Sequence, residues 1–383
     1  MNHTKETMTR QVGLGKTLQT SLYEIERKAT KNKKHKFENL YQLLNRQNLI
    51  KAYRDINKQA SSGIDGQSAK EFGENLIEEV TKIEEELKTN RYRTSLVKRT
   101  YIEKPGGGQR PLGIPTVKDK TIQIATKKIL EAIYEPEFIE SSMGYRKNRG
   151  AKQAVEYLGK ELNFGKYTYI VEADIKGFFD NVNHQWLKRM LEEKVRDKRI
   201  ITLIEKWLKA GIIEPTGEIE KPQKGTPQGG AISPILANRY LHYALDLWFE
   251  KIVEPKSEGE CKLARYADDF VCAFRYKRDA ERFMKTLGKR LGKFGLTLAE
   301  EKTKMIRFSR FEKEKNDTFD FLGFTFRWEK SRKGKDIITH KTSKKGFKRT
   351  IQKFKEWIRK TRHCRLMKMF KELNTKLRGY NRK

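Results

Sequence analysis

The stretch Arg265-Tyr266-Ala267-Asp268-Asp269-Phe270-Val271 decides the fold of its surroundings. Leu263-Ala264 precede the two aspartates, and Phe270-Val271-Cys272-Ala273 follow them. Apolar arms around a polar tip predict a tight hairpin over 263–275. Two adjacent carboxylates at the tip of a buried hairpin repel each other unless a cation lies between them. A plain surface turn is the alternative, but such turns favour Asn-Gly or Asp-Gly. This pair has no glycine.

The next acidic strand outward is Tyr169-Ile170-Val171-Glu172-Ala173-Asp174-Ile175, within a strand predicted over 167–175. An aspartate closing an apolar strand, followed by Lys176-Gly177-Phe178-Phe179-Asp180, is poorly explained by packing. Phosphoryl transfer uses two metal ions about 3.5–4 Å apart that grip the attacking and leaving oxygens. Carboxylates from two neighbouring strands supply such a site, with hard oxygen ligands suited to Mg²⁺ and Mn²⁺ as a substitute. Asp174, Asp268 and Asp269 are therefore the candidate catalytic and metal-binding residues. Asp180 reads as a helix-start residue; Glu172 shares a strand face with Asp174 and is given no role.

Helices and strands alternate around this centre. Helical spacing of apolar residues marks 37–56, 68–88, 118–133, 183–195 and 278–294. β-Formers mark 96–104, 110–115, 303–308 and 319–326, the first two joined by the turn Pro105-Gly106-Gly107-Gly108. A Gly/Pro loop at 225–230 leads to Ser233-Pro234, an N-cap with proline at the first helical position. Helices against a mostly antiparallel sheet give an α+β class. Residues 1–36 are polar, Lys-rich and weakly periodic, so a basic, partly flexible N-terminal extension that includes a mobile N-terminus is expected. Gly15-Lys16-Thr17 is no phosphate loop, because Arg10 stands where the motif needs glycine.

The chain of 383 residues carries 84 Lys/Arg against 50 Asp/Glu, a formal net charge of +34. Solubility needs a charge of only about 2–8 on a small domain. Such an excess self-repels without a polyanion, so nucleic acid is the expected partner. Residues 341–383 alone hold 17 Lys/Arg and 2 Glu. There Phe347, Ile351, Phe354 and Ile358 mark one apolar helix face, and Leu366, Phe370, Leu373 and Leu377 another. This basic helical pair is expected to clamp nucleic acid. Cys261, Cys272 and Cys364 form no disulfide or metal pattern, which suits a reducing, cytoplasmic compartment. No secretory signal and no membrane span are expected.

In order along residues 37–380, the motifs resemble those of bacterial group II intron-encoded reverse transcriptases. Tyr266-Ala267-Asp268-Asp269 looks like the family's palm hairpin and Asp174–Asp180 its first catalytic strand and turn. Gly225-Thr226-Pro227-Gln228-Gly229-Gly230-Ala231-Ile232-Ser233-Pro234 is close to its most distinctive string. Arg110-Pro111-Leu112-Gly113-Ile114-Pro115, Gly144-Tyr145-Arg146 and Phe321-Leu322-Gly323-Phe324 match further blocks. The resemblance implies a right-hand polymerase. It would have an N-terminal extension over 1–36, further extension helices and fingers over 37–165, a palm over 166–330 and a short or truncated basic thumb over 331–383.

It also implies RNA-directed DNA synthesis from dNTPs on an RNA template, intron RNA above all, from a DNA or RNA primer, together with maturase activity. The Ile175 backbone would join the three aspartates at the metals, and Phe179 would occupy the steric-gate position that excludes a ribose 2′-hydroxyl. Lys104, Arg110 and Lys302 would meet the triphosphate or pyrophosphate, and Gln228 and Gly229 the sugar and templating pair. Departures from the pattern are Lys147, where relatives carry proline, and the stop at Lys383, with no endonuclease-like His/Cys spacing. A stand-alone reverse transcriptase and a non-catalytic RNA-binding splicing factor are the competing expectations. Oligomeric state is left open.

Overall fold

A computed structural model describes residues 18–103, 107–311 and 317–381. The chain divides into two units built from non-consecutive segments. One comprises Met1–Ile102, Pro111–Glu137 and Leu187–Leu236; the other comprises Glu103–Arg110, Phe138–Trp186 and Ala237–Lys383.

The second unit is organised on a five-stranded sheet. Its strands run in the order Ser142–Met143, Cys261–Tyr266, Asp269–Phe274, Tyr169–Ala173, Lys304–Arg307. Only the first pairing is parallel. Both faces of the central strands are covered, which is why they read as continuous apolar runs. Phe274 meets Phe283 of the Lys277–Gly292 helix on one face, ring centroids 5.3 Å apart. On the other, Ile170, Val271 and Ala273 share a core with Val155, Leu158 and Leu162 of the Ala151–Phe164 helix. Each such fully buried aliphatic or aromatic side chain contributes about 1.5–3 kcal/mol. A three-stranded antiparallel sheet, Phe319–Phe321, Phe324–Lys330 and Asp336–Thr342, adds Phe319, Phe326 and Trp328 to that core.

The first unit centres on the Val117–Tyr134 helix, buried along most of its length. Thr116 caps it, its hydroxyl accepting from the Asp119 amide at 3.2 Å. The Leu18–Lys31 and Arg46–Arg54 helices pack on it. A second sheet orders Gln109–Ile114, Val97–Glu103, Ile212–Ile213 and Ile219–Glu220.

The α+β class is as expected, and four local expectations are corrected. Residues 18–31 form a helix, because Leu22, Ile25 and Ala29 recur at helical spacing; within 1–36 no further residue up to 17 is described. The region 37–56 holds a 3₁₀ turn, Tyr41–Leu43, before its helix starts at the Asn45 cap. The helix over 68–88 is broken at Asn75, which ends Ala69–Glu74 and begins Leu76–Lys88. The strand over 319–326 is a hairpin, because Leu322 (φ 52°) and Gly323 (φ 81°) both take the left-handed conformation that a two-residue turn requires. The expected basic helical pair is present as Lys344–Thr361 and Leu366–Asn381. Its apolar faces are open, however: Phe347, Ile351, Ile358, Leu366, Phe370 and Leu377 are exposed. All three cysteines are free thiols, and among the described residues no helix is long and apolar enough to cross a membrane.

Candidate active site

Strand register assembles the acidic centre. Ala173 pairs with Phe270, so the next residue along, Asp174, runs beside Asp269 at the same end of the sheet. Tyr266 pairs with Asp269, which leaves Ala267 and Asp268 as the hairpin tip. Past the strand, the Asp174 carbonyl accepts from the Ala299 amide at 2.8 Å, and Lys176 donates to the Thr297 carbonyl at 2.9 Å. Buried Ile175 bridges Leu298 between them. Gly177, at φ 53°, then turns the chain into the Phe178–Asn181 helical turn.

The tip is strained and held. Ala267 has φ 55°, a left-handed conformation costing a residue with a Cβ about 1–2 kcal/mol. Its amide donates to the Met143 carbonyl at 3.1 Å, and its carbonyl accepts from Arg265 Nη1 at 2.9 Å. Arg265 is fully buried. Its Nε and Nη2 donate to the two carboxylate oxygens of Asp246, each at 2.6 Å, a bidentate pairing. Nη1 also reaches Asn238 Oδ1 at 3.2 Å, and Nη2 reaches Ser142 Oγ. Burial works against ionising Asp246, but the guanidinium beside it holds the carboxyl below the usual range. Removing one member of such a pair strands a buried charge, at a cost of about 3–5 kcal/mol.

The acidic cluster itself is compensated only in part. Burial pushes the Asp268 carboxyl up; a backbone hydrogen bond opposes this and the Asp174 charge adds to it. Asp269 is pushed up to about 6 by burial, then by Asp268 and Asp174, against the pull of Lys302 and Arg110. Asp269 still reaches solvent on one side, so water screens part of this push. Lys302 Nζ donates to Asp174 Oδ2 at 2.5 Å, and this contact raises the lysine's pKa. Among the described residues no three His, Cys, Asp or Glu side chains already converge as a metal cluster, and an ammonium group stands at Asp174. The donor chemistry nevertheless fits a hard divalent cation: carboxylate oxygens from adjoining strand ends, with negative charge left unbalanced.

Other expected residues fall as follows. Phe179 stands on the short helical turn after Asp174, its ring against Phe178 and Tyr145. Arg110 is exposed, and its charge is felt at Asp268 and Asp269. Lys104 lies outside the described residues. Gln228 and Gly229 belong to the other unit, where the Gln228 carbonyl accepts from the Gly113 amide at 2.5 Å. A Cβ on Gly229 would lie 2.4 Å from the Gly113 carbonyl oxygen. Glu172 is committed elsewhere, to Lys304 Nζ at 3.0 Å and the Asp320 amide at 3.0 Å.

Residues 102–326 match the family described as reverse transcriptase (RNA-dependent DNA polymerase). The chain belongs to the reverse transcriptase family. The expected kinship with group II intron-encoded proteins is borne out. The chain is 42% identical over 226 residues to the group II intron-encoded protein LtrA of Lactococcus lactis subsp. cremoris, 58% of this chain and 37% of that protein. It is 37% identical over 226 residues to a 91 kDa protein in the cob intron of Schizosaccharomyces pombe, 58% of this chain and 27% of that one. Protein YkfC of Escherichia coli K12 is 30% identical over 302 residues, 71% of this chain and 77% of that one. The chain thus spans little more than a third of the length of LtrA.

Two residues of this site lie within the sequence motifs without a role drawn from them. One is Arg265; its partners Asn238 and Asp246, with His242 between them, recur every four residues, a polar line along a helical segment rich in Leu, Ala and Tyr. The other is Tyr145.

Proposed function

We propose that the chain is an RNA-directed DNA polymerase, extending a DNA or RNA primer with deoxynucleotides on an RNA template. The observation that carries this reading is the register setting Asp174 beside the Asp268–Asp269 tip, three carboxylates whose charge Lys302 offsets only in part. Asp174, Asp268, Asp269 and the Ile175 carbonyl would be the oxygen ligands for two Mg²⁺ ions, with Mn²⁺ as a substitute. Bound there, the metal supplies Lewis acidity and countercharge for in-line phosphoryl transfer.

The chain's own groups bind and orient the nucleotide. Lys302 fixes the Asp174 carboxylate through their hydrogen bond and brings a positive charge that a triphosphate can share. Arg110 and Lys104 add charge-assisted contacts that strengthen as negative charge develops. Phe179 is the ring that a ribose 2′-hydroxyl would strike. For Gln228 and Gly229, contact with the sugar and templating pair rests on the family likeness of their loop.

The architecture would be an N-terminal extension over 1–36, extension helices and fingers over 37–165, a palm over 166–330 and a basic thumb, short or truncated, over 331–383. The names of the relatives, one of them a nuclear intron maturase of Arabidopsis thaliana, and the net charge of +34 support group II intron RNA as the bound RNA, with a maturase role, and the three free thiols suit a reducing cytoplasm. Primer extension on poly(rA)/oligo(dT) with Mg²⁺ is the test. Extension should disappear in Asp268→Ala while intron RNA binding and splicing persist. Undiminished extension by that variant would overturn the assignment.

A further inference from the structure

We propose that Tyr145 is a second selectivity-determining residue: its ring braces Phe179 and walls the side of the pocket in which the sugar of a nucleoside triphosphate is read. This rests on Phe179 being the steric gate.

Tyr145 has φ 56°, a conformation in which a bulky aromatic residue is a genuine outlier. Its neighbours over-determine it. Gly144 before it packs so tightly on the hairpin tip that a Cβ would lie 2.7 Å from the Ala267 amide nitrogen. The Gly144 amide donates to the Arg149 carbonyl at 3.1 Å, and its carbonyl accepts from Asn238 Nδ2 at 3.0 Å. Arg146 after it is buried, donating to the Ile139 carbonyl at 2.8 Å and to the Ser142 carbonyl. Between these two buried residues the tyrosine itself is 49% exposed. Backbone strain of this kind persists where the surroundings enforce it, and it clusters at functional sites. A side chain carried on strained backbone and half in solvent is not explained by core packing.

What the ring touches gives the reason. Its centroid lies 6.4 Å from that of Phe179 at 80°, an edge-to-face arrangement. Phe179 is gripped on another side by Phe178, at 5.3 Å and 72°. It stands on a four-residue helical turn, an element too short to fix a side chain by itself. The Tyr145 phenol also lies in the site's field: burial first, then Asp268, pushes its pKa up, while Arg110 opposes this. A gate that excludes one hydroxyl must hold its ring to within about 0.5 Å. Removing the brace frees the ring to yield.

The test compares incorporation of dTTP and UTP opposite poly(rA), as the ratio of kcat/KM values, with thermal melting beside it. Tyr145→Asn removes the ring and relieves the strain, since Asn tolerates the left-handed conformation. Its discrimination should fall by about ten-fold, the scale of one pocket contact, while its melting temperature holds or rises. A purely structural tyrosine could not give that opposition. Tyr145→Phe should keep the discrimination ratio, and Tyr145→Gly serves equally as the ring-less variant should Asn fold poorly. In a Phe179→Ala background the Tyr145 change should add nothing further. Discrimination within about two-fold of wild type in Tyr145→Asn, with collapse in Phe179→Ala, overturns the brace and leaves the gate standing. Unchanged discrimination in both overturns the gate, and the brace with it.

Discussion

Asp269 shows how a single carboxylate can be placed against its own preference. An unfolded chain ionises aspartate near about 3.9; here burial and two neighbouring carboxylates hold the group at about 6. A raised folded-state value means that the folded protein prefers the protonated form. The associated stabilisation is present below the unfolded pKa and is lost as pH rises through about 6. At pH 7.5 without a divalent cation the ionised cluster therefore opposes folding. Asp269→Asn should melt higher than the native chain in EDTA at pH 7.5, and the gap should close as pH falls toward 4. Added Mg²⁺ should raise the native melting temperature more than that of the variant. Melting curves across this range decide it, and a gap independent of pH would refute the charge-repulsion account. The aspartates were legible because packing alone gives no reason for two adjacent acids inside an apolar run. The burial of Arg265 was not, because Asp246, Asn238 and Ser142 lie 19, 27 and 123 residues away and only the fold gathers them.

At the scale of elements, strands and helices announced themselves where apolar spacing was unbroken, as along 263–275 and 278–294. They were misread where a local conformation interrupts a good pattern. Phe319, Phe321, Phe324 and Phe326 look like one strand, but Leu322-Gly323 folds them into a hairpin. Chain spacing alone could not show that the loop carrying Gln228-Gly229 is seated on Gly113, since over a hundred residues separate them. That loop is anchored at several points. The Thr226 hydroxyl donates to Ser233 Oγ at 2.7 Å, Ser233 donates to the Pro227 carbonyl at 2.8 Å, and the Ala231 amide donates to Gln123 Oε1 at 2.9 Å. Gly229, at φ 107°, is where the loop presses on Gly113. Gly229→Ala should destabilise by about 1–3 kcal/mol and depress primer extension. Gly217→Ala is the control, with φ 90° and nothing within 4 Å of the added Cβ, so it carries backbone strain without the collision. Denaturant midpoints and extension rates separate the two; equal losses would show that the contact with Gly113 contributes nothing.

At the scale of the whole molecule, sequence reading depended on sums rather than positions. A net charge of +34 needs no fold to be interpreted, and by itself it points to a polyanion. The sequence could not tell which charges face the ligand, because a basic helix can present its apolar stripe either to a core or to solvent. In the structure both C-terminal helices are largely exposed, their apolar stripes included. Trp357 Nε1 donates to Glu372 Oε2 at 3.1 Å and links them. On Lys344–Thr361, Lys345, Lys348, Arg349, Lys353 and Lys355 all stand in solvent. If this surface grips phosphates, counterions are released there, and the logarithm of affinity falls with the logarithm of salt by about 0.7–0.9 per phosphate neutralised. Replacing those five residues with glutamine should flatten that slope by about this amount for each phosphate no longer gripped, and weaken RNA binding most at low salt. The comparison requires binding isotherms for native and variant chains at several salt concentrations. Should the slope survive all five substitutions, the basic helix does not lie on the nucleic acid, and the charge that binds RNA must be sought elsewhere on the molecule.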